Sequence, residues 1–279
     1  MDSEAKVLLD GIKFPETPRW HEGKLWFSDM VGRKVMTVDL EGRTETIVEV
    51  PKSPGGLGWL PDGRLLVVSM NDRRLLRLDP GGLVEVADVS QLAPFPCDDM
   101  VVDAQGRAYI GHFGFDALAG KPFAPASLLM VTPDGKISTA ADNLAFPNGT
   151  VITPDHKTLI VAESVGCRLT AFDVAPDGSL SNRRLWAQFG KREMPDGICI
   201  DAECAIWAAL PGVNEVRRVH DGGKVSASIK TNPQAYACML GGADLKTLFL
   251  CTSTTEAFRG AIPGAIQTIR VDVPGAGRP

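Results

Sequence analysis

The chain has 279 residues, of which 44% are hydrophobic and 23% charged, a composition typical of a globular protein. Its formal net charge is −5 and its basic residues are scattered, which argues against nucleic acid or an anionic membrane as a partner. The N-terminal segment has only a short apolar run, and no later segment approaches the length of a membrane span. We therefore expect a cytoplasmic protein.

The cysteines and the turn residues are both spread along the chain. The six cysteines occur singly in or beside apolar runs, without a CxxC pair, which predicts reduced thiols that are mostly buried. Glycine and proline are distributed evenly and do not concentrate in a linker. We therefore predict a single domain over residues 1–279. The cysteines are Cys97, Cys167, Cys199, Cys204, Cys238 and Cys251.

The predicted elements follow one repeating plan along the chain. Residues 6–11 predict a lone strand, and a repeating unit then begins at Glu16. Each unit reads as a β-rich run, a tight turn, a second β-rich run and then two further runs that alternate apolar with polar residues. The innermost strands of the six units begin at Glu16, Gly55, Asp98, Asn148, Asp196 and Ala237.

Two stretches depart from the plan in places where they could meet a ligand. In the third unit, an insertion from His112 to Ala126 separates the second and third strands and is long enough to reach over a pocket. Its first residues, His112 and Phe113, are therefore candidate substrate contacts. Met194 is another candidate because it lies close to the start of the fifth inner strand.

The repeat length predicts the fold. Six units of roughly 46 residues, each with about four short strands, match the period of a propeller blade. We therefore predict an all-β protein, a six-bladed β-propeller with four-stranded antiparallel blades around a central channel. The lone strand at 6–11 would join the last blade and close the ring, which removes an exposed sheet edge.

The starts of the inner strands gather around the axis of a propeller, and four of the six carry a side-chain oxygen. Carboxylates crowded in this way are costly unless a cation neutralises them. Oxygen ligands favour a hard cation, so we expect one divalent ion, Ca²⁺ first, with Mg²⁺, Mn²⁺ and Zn²⁺ as alternatives. Other aspartates of the repeats lie in the turn after the inner strand and not at its start, so they are not counted as ligands: Asp62, Asp103, Asp155, Asp201 and Asp244. The predicted ligands are Glu16, Asp98, Asn148 and Asp196.

Three motifs carry a family resemblance that spans essentially the whole chain. They are Glu-Thr-Pro-Arg-Trp from residue 16, Pro-Asn-Gly from residue 147 and Pro-Asp-Gly-Ile-Cys-Ile-Asp from residue 195. With the strands that follow them, they resemble the senescence marker protein 30/gluconolactonase/luciferin-regenerating enzyme family. The resemblance implies a six-bladed propeller with one divalent cation that hydrolyses lactones or, in related propellers, phosphoesters. It matches Glu16, Asn148 and Asp196 to metal ligands, and Asp196 also to the general base.

The sequence departs from the family pattern in the third unit. Where the family has Asn-Asp, this chain has Asp98-Asp99, and Pro96 stands where some members have an arginine that binds sugar lactones. The first change adds a negative charge to the predicted site. The second removes a polar contact for a hydroxylated substrate, which favours a more apolar lactone.

These features predict a metal-dependent lactonase that acts on a small molecule. The cation would polarise the carbonyl group, Asp196 or Asp98 would activate water, and Asp99 would orient the substrate. Two alternatives remain open. One is other metal-assisted chemistry on the same scaffold, such as organophosphate or ester hydrolysis or an isomerisation. The other is a propeller that binds a ligand without catalysis. For the assembly, we expect a monomer or a small homo-oligomer.

Overall fold

A computed structural model describes residues 4–116, 119–254 and 263–277, and these form a six-bladed β-propeller. Blade one contains β2 (Pro15–His21), β3 (Lys24–Asp29), β4 (Lys34–Val38) and β5 (Thr44–Glu49). Blade two contains β6 (Pro54–Trp59), β7 (Leu65–Ser69), β8 (Arg74–Asp79) and β9 (Gly82–Asp88). Blade three contains β10 (Cys97–Val102), β11 (Ala108–His112), β12 (Ala126–Val131) and β13 (Ile137–Leu144).

The remaining blades follow the same order, from the inner strand outward. Blade four contains β14 (Pro147–Ile152), β15 (Thr158–Glu163), β16 (Arg168–Val174) and β17 (Leu180–Gln188). Blade five contains β18 (Ile198–Ile200), β19 (Ile206–Leu210), β20 (Glu215–Val219) and β21 (Val225–Lys230). Blade six contains β22 (Gln234–Gly241), β23 (Thr247–Ser253), β24 (Gly264–Arg270) and β1 (Lys6–Ile12). Within these ranges the single helical element is a 3-10 turn, Pro211–Val213, so no helix there could cross a membrane.

Within the blades, residues of the inner strands are more buried than residues of the outer strands. The inner strand β14 is buried along its whole length, whereas the outer strand β5 is mostly exposed or half-buried. Inner strands are covered by both neighbouring blades, and the apolar core therefore lies between blades. One example is Trp20 of blade one, whose ring stacks 5.4 Å from that of Phe249 in blade six.

The inner strands share an irregularity at the axial end. In β2, β6, β10, β14 and β22, the pairing with the next strand shifts register within the first few residues. In blade five, β18 begins only at Ile198, and the preceding Asp196 N–H donates to the Ala209 carbonyl at 2.9 Å. A bulge interrupts the alternation of side chains and re-aims them. Each inner strand is therefore irregular at the position that was predicted to face the axis.

The N-terminal strand lies at the outer edge of blade six. The strand predicted at 6–11 is β1, which pairs antiparallel with β24 from Lys6 opposite Thr268 to Ile12 opposite Gly264. Chain segments from the two ends of the described sequence thus complete one four-stranded sheet. The N-terminal segment is thereby attached to the last blade, which closes the ring of six blades.

The turn aspartates form hydrogen bonds within the turns, as their position in the repeats predicted. The carboxylate of each accepts a hydrogen bond from the backbone N–H two residues later, at 2.9–3.1 Å. This Asx-type bond stabilises the turn between the first and second strands of the blade. These residues are Asp62, Asp103, Asp155, Asp201 and Asp244.

The six cysteines are free thiols, and four of them are buried, as predicted. Cys199 and Cys238 approach each other in the core, with 3.9 Å between their sulfur atoms. Burial raises the pKa of Cys238 well above its usual value, so the thiol stays protonated and behaves as a small apolar side chain.

Candidate active site

A cavity of about 340 Å³ opens among the starts of the inner strands. Its lining includes Glu16, Asp98, Asn148 and Asp196, the four residues that the sequence predicted as ligands. They come from blades one, three, four and five; Glu16, Asp98 and Asn148 stand at inner-strand bulges, and Asp196 stands just before the start of β18. The fold thus gathers four side-chain oxygens, separated by up to 180 positions in sequence, around one space.

Glycines next to these residues allow the blades to approach closely at the axis. The Gly149 N–H donates to the Asp196 carbonyl at 3.3 Å, and the Gly197 N–H donates to the Tyr236 carbonyl at 2.8 Å. A Cβ atom on Gly149 would lie 2.6 Å from the Asp196 carbonyl oxygen, and one on Gly197 would collide with Ala237. The Asn-Gly and Asp-Gly pairs are therefore required for packing as well as for their polar side chains.

The carboxyl groups of the cavity are held in an environment that favours their protonated forms. Burial raises the pKa of Asp98 well above its usual value, and the charges of Asp196 and Asp99 raise it further. Burial, followed by the charge of Asp196, has the same effect on the pKa of Glu16. For Asp196, burial raises the pKa to about 7, although a hydrogen bond from the Asn148 side chain opposes the shift. Three buried acids therefore repel one another here.

The donor chemistry of this set fits a hard divalent cation. Three carboxylates and one amide oxygen are the ligand types that Ca²⁺ prefers, and a cation would remove the repulsion among the acids. Among the described residues, no Lys, Arg or His forms an ion pair with Glu16, Asp98 or Asp196. In the same ranges, no group of three or more His, Cys, Asp or Glu side chains has the geometry of a metal site. Binding would therefore require the carboxylates to turn toward a common point.

Asp99 has a different environment from its neighbour Asp98, and it does not line the cavity. Its carboxylate accepts a 2.7 Å hydrogen bond from the buried guanidinium of Arg19, and a 2.8 Å bond from the Met100 N–H. The guanidinium also donates to the Met100 carbonyl at 2.6 Å. Burial raises the pKa of Asp99, and Arg19 opposes that shift. Asp99, predicted as a substrate contact, instead joins blade three to blade one.

His112 is also turned away from the cavity. Its Nδ1 lies 2.9 Å from the Phe113 carbonyl, and its Nε2 accepts a 3.1 Å hydrogen bond from the Ser127 N–H. These two bonds fix the tautomer with the proton on Nδ1. Burial lowers the pKa of His112, so the ring is neutral. The side chain, predicted to contact substrate, instead links the two ends of the insertion to each other.

The other two predicted contacts, Phe113 and Met194, reach open space. Phe113 lines the acidic cavity and stacks on Phe146 with 4.5 Å between ring centroids. Met194 lines a second cavity of about 310 Å³. The two cavities share four lining residues and are therefore adjacent: Phe146, Asn148, Asp196 and Tyr236.

Three residues of the cavity walls, Phe14, Ser53 and Phe146, were not predicted, although they share a repeated sequence position with Met194, which was predicted. Phe14, Ser53, Phe146 and Met194 each stand immediately before the proline that leads into an inner strand, and all four line one or both cavities. Ser53 and Phe146 have positive φ values, 71° and 66°, in a region that such residues rarely adopt. The residue before this proline was thus a second repeated position that faces the axis.

Fold and cavity together define a class, the six-bladed propellers with a buried acidic pocket at the axis. The chain belongs to the SMP-30/Gluconolactonase/LRE-like family, whose model matches residues 14–254. The resemblance inferred from the three motifs is therefore confirmed.

Individual relatives are similar over most of their length. Regucalcin from Danio rerio is 29% identical over 262 residues, which cover 88% of this chain and 85% of the relative. Pentonolactonase XacC from Haloferax volcanii is 25% identical over 288 residues, covering 98% of this chain and 96% of the relative. The crystal structure of a calcium-binding protein, regucalcin, from Agrobacterium tumefaciens superposes with a TM-score of 0.83 at 21% identity, covering 99% and 96% of the two chains.

Proposed function

We propose that the protein is a divalent-metal-dependent lactonase that opens a cyclic ester in the acidic cavity. The observation that carries the proposal is the convergence of Glu16, Asp98, Asn148 and Asp196 on one cavity, where no Lys, Arg or His of the described residues forms an ion pair with the three acids. The family, which includes gluconolactonases by name, and the similarity to a pentonolactonase support a lactone as the substrate class. The similarity to calcium-binding regucalcin makes Ca²⁺ the first cation to test.

The residues of the cavity have distinct roles in this proposal. Glu16, Asp98, Asn148 and Asp196 would hold the cation, which when bound acts as a Lewis acid toward the ester carbonyl. Asp196 would take the proton from the attacking water, because its carboxylate lines the cavity and the family motif matches this residue to the general base. The Asn148 side chain bonds to the Asp196 carboxylate and fixes its orientation. Asp98 is the alternative base.

The apolar walls complete the site. Phe113 and Phe146 stack beside the carboxylates and limit the access of bulk water. Exclusion of water strengthens electrostatic interactions in the cavity. The ester ring would then lie between these aromatic side chains and the acidic residues.

The proposal can be tested on purified protein with a panel of lactones. We expect chelator-treated protein to lose lactone opening and added Ca²⁺ to restore it. Asp196→Asn should lower kcat by roughly 100-fold or more, because it removes the proposed base. Asp62→Asn is a matched control, since it makes the same chemical change at an exposed turn aspartate and should retain full activity. Undiminished turnover in metal-free protein or in Asp196→Asn would refute the proposal.

A further inference from the structure

The second cavity forms an apolar extension of the acidic one. We call this space the side lobe, and its apolar walls are formed by Phe115, Phe146, Val165, Met194, Pro211 and Tyr236. Its volume of about 310 Å³ is at the lower end of the range for ligand pockets. Asn148 and Asp196 line both spaces, so the side lobe adjoins the position of a ligand held beside Asp196.

Both hydroxyl groups that line the side lobe are already engaged with the protein. The Ser164 hydroxyl donates to the Pro195 carbonyl at 2.7 Å, and the Tyr236 hydroxyl donates to Gln234 Oε1 at 2.8 Å. A hydroxylated ligand arm would lose its bonds to water here and gain few in return, which is unfavourable. An apolar arm would gain free energy from burial.

The rim of the side lobe exposes large apolar side chains on two different segments. Val165, in the turn after β15, is 42% exposed, and Met194, before β18, is 39% exposed. The ring of Phe115, which also lines the side lobe, lies 6.2 Å from that of Phe146 and 5.7 Å from that of exposed Phe123. Apolar side chains concentrated at the mouth of a cavity are typical of a binding site for an apolar group.

We infer that the substrate is a lactone with an apolar alkyl or aryl substituent, whose ring lies beside Asp196 and whose substituent fills the side lobe. This inference rests on the proposed lactonase function and narrows its substrate class. The reaction needs only water: its oxygen bonds to the carbonyl carbon, the ring C–O bond breaks, and the ring oxygen takes a proton to give a hydroxy acid. Pro96 in the wall of the acidic cavity agrees with a weakly hydroxylated substrate.

The test compares δ-valerolactone, which has no substituent, with δ-decalactone, which has a pentyl chain on the same ring. We expect kcat/KM for δ-decalactone to be at least about tenfold higher, because each buried methylene contributes favourably. Glucono-δ-lactone should be the poorest of the three. Equal kcat/KM for the two alkyl lactones, or preference for the sugar lactone, would overturn the inference.

A pair of matched variants locates the effect in the side lobe. Val165→Asp places a charge at its rim and should reduce the preference for δ-decalactone over δ-valerolactone by about tenfold. Val225→Asp makes the same change at a side chain that is 46% exposed on β21 and lines neither cavity, so the preference should be retained. A preference unchanged in Val165→Asp, or reduced equally in both variants, would contradict the assignment.

Binding measurements separate the failure of this inference from the failure of the proposed function. Calorimetry would compare 2-piperidone, a lactam of the same ring size, with the piperidone that carries a pentyl chain. If no lactone is opened, the proposed hydrolase function fails, whereas tighter binding of the pentyl lactam that Val165→Asp weakens still supports the side lobe. Equal affinity for the two lactams overturns the side lobe as a binding site, whatever the turnover of lactones.

Discussion

The adjacent residues Asp98 and Asp99 have different environments, because a bulge in β10 points their side chains in different directions. Asp98 faces the acidic cavity, whereas Asp99 is buried against the guanidinium of Arg19. A buried ion pair contributes little net stability when intact, but loss of one partner leaves an uncompensated charge in the interior. The pair is therefore a point at which the neighbouring blades depend on each other.

Removal of the Arg19 guanidinium should be strongly destabilising. We expect Arg19→Met to lower the free energy of unfolding by about 3–5 kcal/mol, because it leaves Asp99 buried without its partner. Adding Asp99→Asn to that variant should recover part of the loss, and urea denaturation would measure both changes. Arg43→Met breaks an exposed ion pair with Asp39 and should leave the free energy of unfolding nearly unchanged, because solvent screens that pair. Equal losses in the two single variants would show that burial of the Arg19 pair has no energetic consequence.

The acids of the cavity also predict how the stability of metal-free protein depends on pH. The pKa of Asp196 is raised to about 7 in the folded protein, above its value of about 3.9 in an unfolded chain. A raised pKa means that folding favours the protonated carboxyl group. The resulting stabilisation is complete below the unfolded pKa and is lost as the pH rises through the folded pKa. The pKa values of Asp98 and Glu16 are raised as well, which adds to the same trend.

In the presence of a chelator, the melting temperature should therefore fall as the pH rises from about 6 to about 8. Added Ca²⁺ should oppose this fall, because a bound cation stabilises the ionised acids. In Asp196→Asn, which cannot ionise at this position, the fall should be smaller than in the wild type. Differential scanning fluorimetry at each pH would measure the three curves. A melting temperature of the chelated protein that rises over this range would contradict the assigned environment of Asp196.

At the level of the strands, the repeat pattern predicted where the blades lie but not the direction of every side chain. Turn residues and alternating runs placed every blade, because those features are local and recur along the chain, with a turn aspartate in five of the six units. The sequence also predicted that Glu16, Asp98, Asn148 and Asp196 would lie around one space, because equivalent positions in different blades meet at the axis. The environments of Asp99 and His112 could not be predicted in this way. Asp99 follows a bulge that breaks the alternation of side chains, and the partners of His112 lie across an insertion.

The inner strands also depend on glycine where neighbouring blades touch. Gly149→Ala should lower the free energy of unfolding by roughly 1–3 kcal/mol, because its Cβ would lie 2.6 Å from both the Asp196 carbonyl oxygen and the Ile198 nitrogen. It should also weaken Ca²⁺ binding by displacing Asp196 from Asn148, which calorimetry would measure. Gly81→Ala is the control, since its Cβ would meet no atom within 4 Å. A stable Gly149→Ala protein with unchanged Ca²⁺ affinity would refute this account of the axial packing.

At the scale of the whole molecule, the ring is completed by strands from the two ends of the described chain. β1 pairs with β24, and Ile12 at its end is buried in the cluster that also contains Phe27 of blade one and Phe249 of blade six. Without β1, the hydrogen-bonding groups of β24 would become an exposed sheet edge, which favours association with other chains. The N-terminal strand therefore contributes both to the core between two blades and to protection of an edge.

Deletion of residues 1–12 removes β1 completely and should lower the melting temperature by about 5 °C or more, because it removes a strand ladder and buried apolar surface. The truncated protein should also form more high-molecular-mass material in light scattering, since β24 becomes an edge. Deletion of residues 1–4 is the matched control, because it stops before β1 begins at Lys6 and should leave both properties close to those of the full chain. If the longer deletion melts at the same temperature as the control, pairing of β1 with β24 does not stabilise the ring, and the remaining contacts between blades one and six, such as the stacking of Trp20 on Phe249, must hold it closed.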